Sequence, residues 1–365
     1  MYPRRLFVLT VHPTHYHDYF FREMIKDGQV DLEVYYLTNL LSKYPWKTQM
    51  RQGYVSHDCR LFLGVDWTFL KTIKNSDRSN AAFLIAGWEH PAKIAAILAC
   101  IFYNRKFVIW TDTPNLNKKR SFIKSRLRSL WLKFISKKSF GIFSTGKPGV
   151  NGLIKLGVPA TKAYNLPFFV DLDYFKPIKD EFVKNDTPVY FSSGRLDINH
   201  KGYDVAIEAL ARLKERNGCQ FVYKIAGTGP DKDIIERLVE AKNLKNELDF
   251  LGWCEPNEIL EQYRQCSFFI HSSHFDPFPN AVLEAMAVGC IVIASDAAGS
   301  ATDRIEHGVN GFLFRDGNAD ELLGCLEHVL QLAQNHINEI GENARKTSKS
   351  FPVSKGLKLI NSIYE

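Results

Sequence analysis

The sequence predicts an α/β protein made of two doubly wound, parallel-stranded domains. Apolar runs typical of buried strands alternate with helical patterns along almost the whole chain, and this alternation restarts more clearly after Pro188. Near-continuous apolar strands are typical of a parallel sheet that helices cover on both faces. The length of 365 residues exceeds what one ordinary core fills and suits two domains.

The predicted elements follow the apolar periodicity. The strands expected in the first half are 6–11, 32–37, 83–86, 107–110 and 142–144. The strands expected in the second half are 189–192, 221–226, 249–252, 268–272 and 291–294. The helices expected there are 204–216, 233–242, 258–265, 281–288 and 320–333. This alternation indicates βαβ units, in which ligands bind at the carboxyl ends of the strands.

Composition along the chain indicates the domain boundaries. Residues 1–168 form the predicted N-terminal domain, and residues 188–345 form the C-terminal domain. The segment 169–187 contains prolines and charges without a clear period, so we interpret it as a linker. We expect 346–365 to form a C-terminal helix that can cross back to the first domain. Region 39–80 is poorly periodic and predicts no firm elements.

Cysteine usage and charge indicate a cytosolic chain with one strongly basic segment. The seven cysteines are scattered and include no CxxC pair, which is typical of a reducing compartment and provides no zinc site. The apolar run 6–11 is too short for a signal peptide, and no run is long enough to span a bilayer. The segment 117–138 holds nine Lys or Arg and no acid, more than the whole net charge of +7.

One strand-to-helix loop in the second half carries two cations that suit a diphosphate. The stretch FSSGRLDINHKGYD places Arg195 and Lys201 after a predicted strand, and Gly194 allows a sharp turn there. Arg offers a planar fork of donors and Lys a point charge, and both bind phosphate oxygens. An ordinary basic surface loop is the alternative for either residue alone. Two cations six positions apart at the carboxyl end of a strand favour the diphosphate.

The stretch FDPFPNAVLEAM sets one carboxylate in a proline-stiffened loop and a second in the helix that follows. Pro279 at the helix start costs no hydrogen bond and leaves the amides of Asn280 and Ala281 available to an anion. Asp276 is placed to accept hydrogen bonds from ligand hydroxyls, or alternatively to cap the helix. Glu284 is either a solvated acid near the helix start or, among its apolar neighbours, a carboxylate that polyol hydroxyls partner.

Weaker signals lie in two other loops of the second half. Gly227 opens the strand-to-helix turn IAGTGP, which as a single GxG is weak evidence. Trp253 and Cys254 follow a strand in DFLGWCEP, where backbone groups can pair with the edge of a nucleobase. Both loops are expected at the same sheet edge as the cations, because the strands before them run in parallel.

Polar residues also follow two strands of the first half. His12, His15 and His17 stand in VHPTHYHD, and we interpret them as part of a ligand-binding surface, with a metal site as the alternative. Asp112 in WTDTP is either a cap for the following segment or a polar group on the catalytic side of the sheet. The DLD at 171–173 resembles a metal-binding pair, but it lies in the predicted linker, so we expect no metal site there.

Taken together, the motifs of the second half resemble the C-terminal domain of family 4 retaining glycosyltransferases of the GT-B fold (glycosyl transferases group 1). The similarity covers most of 188–320, and in the first half only LGVPATKAYNLPFFVDLDYF is clearly similar. The motifs are GRLDINHKGYD, AGTGP, DFLGWCEPNEILEQYRQCSFFIHSSHFDPFPNAVLEAMAVGCIVIASD and HGVNGFLF. The resemblance implies two Rossmann-like domains facing across a cleft, and a nucleoside-diphosphate sugar as donor.

The resemblance also implies roles for the polar residues. The family's E-x7-E motif appears here as D-x7-E, which puts Asp276 on the donor sugar and Glu284 on the ribose. It puts Arg195 and Lys201 on the diphosphate and the base in the loop DFLGWCEP, with no metal required. Asp276 is one methylene shorter than the family's usual Glu, and Asp112 stands where the family has a histidine. The candidate catalytic residues are Asp276, Arg195, Lys201 and Asp112.

We therefore expect a metal-independent, retaining glycosyltransferase that moves a hexose-type sugar to a lipid-linked or cell-envelope glycan acceptor. His12, His15 and His17 then belong to the acceptor side of the N-terminal domain. The alternatives are a nucleotide-sugar epimerase of similar fold and a membrane-docked nucleotide-sugar binding protein without catalysis. The sequence leaves the donor base, the sugar and the acceptor open.

The basic segment 117–138 predicts a peripheral position on the inner face of the plasma membrane. Its cations are not interrupted by acids, and anionic lipid attracts such a segment. The sequence contains no nucleic-acid-binding signature, so lipid is the better partner. We expect the apolar residues of the segment to pack on the first sheet as one helical stripe. The stripe consists of Ile123, Leu127, Leu130, Trp131, Phe134 and Ile135.

Overall fold

Two sheets organise the chain, each in its own unit. The computed structural model describes residues 4–37, 51, 53–116, 118, 120–177 and 187–365. One unit comprises Met1–Phe169 and Pro352–Glu365, and the other comprises Val170–Phe351. Within the predicted linker, residues 178–186 lie outside the described residues.

The first unit has a parallel sheet. Its strands, in the part of the chain that the structure describes, are β1 Arg4–Thr10, β2 Val30–Tyr36, β3 Val55–Asp58, β4 Leu61–Phe62, β5 Val65–Asp66, β6 Ala81–Ala86, β7 Lys106–Thr111, β8 Ile142–Ser144 and β9 Ala163–Asn165. The sheet order is β3-β2-β1-β6-β7-β8-β9, and β4 and β5 form a separate antiparallel pair. The five predicted runs are confirmed as β1, β2, β6, β7 and β8. The apolar pattern did not predict β3 and β9, because these edge strands are short and their residues are not buried.

Helices connect these strands. They are α1 His15–Asp27, α2 Trp67–Asn75, α3 Pro91–Phe102, α4 Phe122–Lys138 and α5 Gly146–Lys155. Each of α1 to α4 begins after a side chain that caps its first turn, such as Thr14, whose hydroxyl accepts a hydrogen bond from the amide of His17 at 3.3 Å. The core between helices and sheet contains Phe83, Ile97 and Ile135.

The second unit repeats this plan with clearer elements. Its strands, within residues 187–351, are β10 Val189–Ser193, β11 Val222–Ala226, β12 Leu248–Gly252, β13 Phe268–His271, β14 Ile291–Ser295 and β15 Phe312–Phe314. Its helices are α6 Ile198–Lys201, α7 Tyr203–Asn217, α8 Lys232–Ala241, α9 Pro256–Gln265, α10 Asn280–Val288, α11 Gly299–Arg304, α12 Ala319–Gln331 and α13 Gln334–Lys349. Every strand and helix predicted in this half is confirmed, with ends that differ by at most two residues.

The second sheet places its loops for ligand binding. Its order is β12-β11-β10-β13-β14-β15, and every neighbouring pair is parallel. The chain order reverses between β10 and β13, which is the point at which doubly wound sheets bind ligands. Alternating residues fill cores on the two faces of the sheet: Tyr190 and Phe268 pack on one face, and Phe191 and Phe269 on the other. These observations confirm the predicted doubly wound parallel sheets.

The C-terminal residues return to the first unit. Helix α13 continues to Lys349, so the second unit extends beyond the domain end at 345 that we placed from the sequence. The last helix, α14 Val353–Asn361, follows Pro352 and belongs to the first unit. Among the described residues, no helix is both long and apolar enough to cross a lipid bilayer.

Candidate functional site

The loop after β10 turns sharply and ends at Lys201. The amide of Gly194 donates to the carbonyl of Ala226 at 2.9 Å, which ties this loop to the end of β11. The short helix α6, Ile198–Lys201, then follows its N-cap Asp197 and is ended by Gly202, which has φ +59°. A Cβ at Gly202 would lie 2.1 Å from the carbonyl oxygen of Ser272, so only glycine fits between the ends of β10 and β13.

Lys201 forms an ion pair with Asp276. Its Nζ lies 2.5 Å from Oδ2 of Asp276, although the two residues are 75 positions apart. His271, the last residue of β13, is buried with Nε2 3.4 Å from the same oxygen. Burial alone would raise the pKa of Asp276, but the charge of Lys201 and the contact with His271 outweigh it and hold that pKa well below its usual range. Asp276 is therefore a carboxylate at neutral pH.

The structure rules out one alternative for Asp276. Helix α10 begins after Pro279 and has no side-chain cap, so Asp276 does not cap it. Instead, the backbone of Asp276 joins the loop before α11, because the amide of Gly299 donates to its carbonyl at 2.9 Å. The Oδ1 of Asn280 is buried and has no hydrogen-bond partner among the described residues. The first turn of α10, which includes Ala281, therefore presents amides without a side-chain cap together with an unsatisfied acceptor.

Glu284 is held inside the second unit by a tyrosine. The hydroxyl of Tyr263 donates to Oε2 of Glu284 at 3.1 Å, and the hydroxyl of Ser193 at the end of β10 lies 3.1 Å from the same phenol oxygen. Burial raises the pKa of Glu284 to about 7, and the bond from Tyr263 only partly opposes this. Glu284 is therefore not a solvated surface acid.

The loops after β11 and β12, which carry the weaker sequence signals, lie at the same edge of the sheet. Gly227 has φ +142°, and a Cβ there would lie 1.9 Å from the carbonyl oxygen of Gly194. Its amide donates to the carbonyl of Gly252 at 2.7 Å, just before Trp253. The thiol of Cys254 folds back to the carbonyl of Gly252 at 3.8 Å. The loops after β10, β11 and β12 are thus in direct contact, as predicted from the parallel strands.

Sequence reasoning missed His271, Tyr263 and Ser193. All three are polar residues in otherwise apolar or amphipathic elements, and the partners of Tyr263 and Ser193 are distant in the sequence. For Ser193 and His271, the available signal was the change from apolar to polar residues at the ends of β10 and β13, in FSS and FIHSS. Arg195 is exposed in the loop between β10 and α6.

In the first unit the three predicted histidines occupy different environments. His12 follows β1, whereas His15 and His17 lie in the first turn of α1 rather than in a loop, and His15 is exposed. His17 packs against aromatic rings, including Trp110 at 4.8 Å between centroids. Burial, followed by the charges of His12 and Lys93, lowers the pKa of His17 to about 3, so its ring is neutral.

Two further predictions for the first unit can be placed. Asp112 directly follows β7, and it does not cap α4, which begins after Ser121. Among the described residues, no group of three or more His, Cys, Asp or Glu is arranged to hold a metal ion. In the DLD stretch, Oδ1 of Asp171 accepts hydrogen bonds from the amides of Asp173 and Tyr174, each at 3.1 Å, which is the geometry of a turn.

The expectation that the apolar stripe of α4 packs on the sheet is wrong for four of its six residues. The side chains of Ile123, Leu127, Leu130 and Phe134 are 43 to 69% exposed. Of the other two stripe residues, Ile135 is buried and Trp131 packs against the core. Leu132 and Ser136 are also buried, and at 3.6 residues per turn they lie on the opposite side of the helix. Exposed cations flank the stripe on both sides, namely Lys124, Arg126, Lys133, Lys137 and Lys138. Lys119 lies outside the described residues.

Comparison with known proteins shows similarity in sequence and in fold. The family model described as glycosyl transferases group 1 matches residues 175–347. The chain is 30% identical over 148 residues to an uncharacterized glycosyltransferase of Methanocaldococcus jannaschii, which covers 40% of this chain and 37% of that protein. The chain spans 37 to 49% of the length of the first curated relatives that it matches.

Two further proteins extend the similarity. The N-acetylgalactosamine-N,N'-diacetylbacillosaminyl-diphospho-undecaprenol 4-alpha-N-acetylgalactosaminyltransferase of Campylobacter jejuni is 24% identical over 262 residues, covering 70% of this chain and 69% of that one. The crystal structure of Anabaena HepE in complex with UDP has a TM-score of 0.78 at 18% identity and covers 98% of both chains. Its similarity confirms the GT-B fold. Residues 175–347, just under half of the chain, are therefore similar to the glycosyl transferases group 1 family.

Proposed function

We propose that the protein is a retaining glycosyltransferase that moves a sugar from a nucleoside-diphosphate sugar to an acceptor. One observation carries the proposal: the loops after β10, β11, β12 and β13 meet at one sheet edge, with the Lys201–Asp276 ion pair and the start of α10 among them. This edge combines cations, uncapped amides and carboxylates. These are the groups that bind a diphosphate and the hydroxyls of two sugars.

In the proposed mechanism, the protein stabilises the departing nucleoside diphosphate. Arg195, Lys201 and the amides at the start of α10 offset the negative charge that develops on the leaving group. Because these groups already supply positive charge and donors, the mechanism needs no metal. Asp276 positions the sugar, and Glu284 accepts a hydrogen bond from the ribose. Retention of the anomeric configuration rests on the resemblance to family 4.

The names of similar proteins indicate which substrates to test first. The HepE structure contains UDP, and the Campylobacter relative is named for a substrate that carries diphospho-undecaprenol. A UDP-sugar donor and a lipid-linked acceptor are therefore the first pair. The Erwinia amylovora relative, an amylovoran biosynthesis glycosyltransferase, supports a cell-envelope glycan as the wider acceptor class.

The exposed face of α4 supports a peripheral position at the inner face of the plasma membrane. We define the α4 face as the exposed part of the apolar stripe, Ile123, Leu127, Leu130 and Phe134, with the cations that flank it. Basic amphipathic helices of this kind lie in the interface of anionic bilayers, with apolar side chains inserted and cations at the headgroups. A lipid-linked acceptor would be presented at the same surface.

Product analysis tests the proposal against its alternatives. The purified protein is incubated with UDP, GDP and ADP sugars, with and without a polyprenyl-diphosphate glycan. Free nucleotide that appears together with a glycosylated acceptor supports transfer. An interconverted nucleotide sugar without acceptor would identify an epimerase, and binding without any product would identify a binding protein. A donor that binds is recognised beforehand by a thermal shift, because a ligand at about 100 times its Kd adds roughly 2.7 kcal/mol of stability.

A further inference from the structure

Lys93 is a buried lysine in the first unit. It lies in the first turn of α3, and its residue exposure is only 7%. The structure gives its ammonium group no hydrogen bond and no ion pair to any residue that it describes. Asp112 and Glu89 attract the ammonium group electrostatically, but neither forms an ion pair with it, so its hydrogen-bond donors have no protein acceptor among the described residues.

Lys93 lies at the carboxyl ends of the strands of the first sheet, which is the edge at which doubly wound sheets bind ligands. A Cβ at Gly87, which follows β6, would lie 3.3 Å from the Lys93 Nζ. His12 follows β1 and Asp112 follows β7, and both interact electrostatically with Lys93. Strands β1, β6 and β7 are parallel neighbours, so their carboxyl ends surround Lys93. Chain order reverses between β1 and β6, as it does between the two central strands of the second sheet.

The charges around Lys93 define what it can bind. Burial lowers its pKa to about 8, while Asp112 and Glu89 oppose that shift, so the ammonium is charged at neutral pH. Burial, and then the charge of Lys93, lowers the pKa of His12 and of His90. These neutral rings can donate or accept hydrogen bonds. They carry no positive charge, so the ammonium group of Lys93 is the cation of this group that attracts an anion. A cation as ligand is disfavoured because the ammonium would repel it.

We infer that Lys93 binds an oxyanion, a phosphate or a carboxylate, that the acceptor carries. The site lies wholly in the first unit, and the second unit already provides for the donor with Arg195 and Lys201. The assignment of the anion to the acceptor rests on the proposed glycosyl transfer. The substrate class is thereby narrowed to acceptors with an anionic group near the hydroxyl that receives the sugar.

Competitive acetylation of lysines followed by peptide mass spectrometry tests this inference. Each lysine is labelled at pH 7 in buffer, in inorganic phosphate, in acetate and in UDP. A bound oxyanion raises the pKa of Lys93, and one unit lowers its reactive neutral fraction about tenfold. We therefore expect phosphate or acetate, whichever matches the natural group, to slow labelling of Lys93 at least about tenfold. Lys71, an exposed lysine on α2, provides the reference rate in the same sample.

The same measurement separates this inference from the proposed function. UDP should protect Lys201 and leave Lys93 unchanged. If Lys93 is protected by the oxyanions while no nucleoside diphosphate protects Lys201, the donor assignment fails and the Lys93 site stands. If Lys93 reacts at the same rate in phosphate and acetate as in buffer, this inference is overturned. Lys93→Met should abolish the melting-temperature increase caused by the protecting oxyanion, Lys93→Arg should retain part of it, and Lys71→Met should behave like wild type.

Discussion

The Nζ of Lys201 lies 2.5 Å from Oδ2 of Asp276, so two residues that the sequence assigns to different parts of one ligand neutralise each other. Their side chains are only 23% and 14% exposed, and water therefore screens the pair weakly. A diphosphate that contacts Lys201 also lies near the negative charge of Asp276. We therefore expect Arg195, which is exposed in the same loop, to supply much of the net attraction.

The two cations should differ in what their loss does to the protein. Arg195→Ala and Lys201→Ala should each weaken nucleoside diphosphate binding by about 1.5–3 kcal/mol, the range for hydrogen bonds to charged groups. Arg195→Ala should leave the melting temperature unchanged, whereas Lys201→Ala should lower it because Asp276 loses its cation. Calorimetry with UDP and GDP, and with the nucleosides as controls, measures the binding. Unchanged diphosphate affinity in both variants would show that the loop is only surface.

Asp276→Asn should separate nucleotide binding from catalysis. The substitution removes the charge that neutralises Lys201, so free nucleoside diphosphate should bind at least as tightly as in wild type. Turnover of the sugar donor should fall, because the proposed contact of Asp276 is with the sugar. Initial rates and UDP calorimetry on the same preparation check this. Weaker UDP binding with normal turnover would mean that the roles of Asp276 and Glu284 are exchanged.

Glu284 should make folding stability depend on pH in a specific window. Its pKa is raised from 4.5 to about 7, so its contribution to stability is complete below pH 4.5, declines between 4.5 and 7, and is absent above. His17, with a pKa lowered to about 3, acts in the opposite direction between pH 3 and 6.5. The difference in urea unfolding between wild type and Glu284→Gln isolates the first effect. A difference that does not change with pH would contradict the burial of this carboxyl.

The meeting of two loops at Gly227 should be intolerant of any side chain. Gly227→Ala places a Cβ where the Gly194 carbonyl lies, so the Arg195 loop must move and nucleotide affinity should fall at least about tenfold, the equivalent of one charged hydrogen bond. Gly218→Ala is the matched control, because Gly218 also has positive φ but no atom within 4 Å of its Cβ position. It should cost about 1–2 kcal/mol of stability and leave binding intact. Equal binding by both variants would exclude a close approach at Gly227.

Much of the second unit could be predicted because its strands are continuous apolar runs bounded by glycine and polar residues. The acids of the site were predicted because Asp276 and Glu284 belong to one local motif. The pairing of Asp276 with Lys201 and of Glu284 with Tyr263 was not predicted, because these partners are 75 and 21 positions away and only the folded sheet brings them together. Periodicity reports contacts along one element and contains no information on contacts between elements.

The prediction that the α4 stripe packs on the sheet was wrong for its exposed residues for a related reason. Helical spacing correctly predicts that Ile123, Leu127 and Leu130 share a face, but it does not say whether another element covers that face. The buried side of the helix uses Leu132 and Ile135, together with the small Ser136. That pattern is too short to stand out in the sequence.

The exposed α4 face changes how membrane attachment should respond to salt. Cations near an anionic surface contribute about 1 kcal/mol each, and salt screens that attraction. Burying an exposed Leu, Ile or Phe side chain contributes roughly 1.5–3 kcal/mol, which salt does not screen. We therefore expect the protein to bind vesicles that contain anionic lipid at low ionic strength and to retain part of that binding at a few hundred millimolar salt.

Two sets of substitutions separate the contributions in a vesicle co-sedimentation assay. Reversing the charges of Lys124, Arg126, Lys133 and Lys137 should remove the salt-sensitive part of binding. Changing Ile123, Leu127 and Phe134 to Ser should remove the salt-resistant part without loss of stability, because these side chains are already exposed. Ile234→Ser, at an exposed position in the second unit, is the control and should bind vesicles like wild type. All variants should keep normal nucleotide affinity. If wild type ignores anionic vesicles even at low salt, the membrane assignment fails, and an acceptor free in solution becomes the better hypothesis.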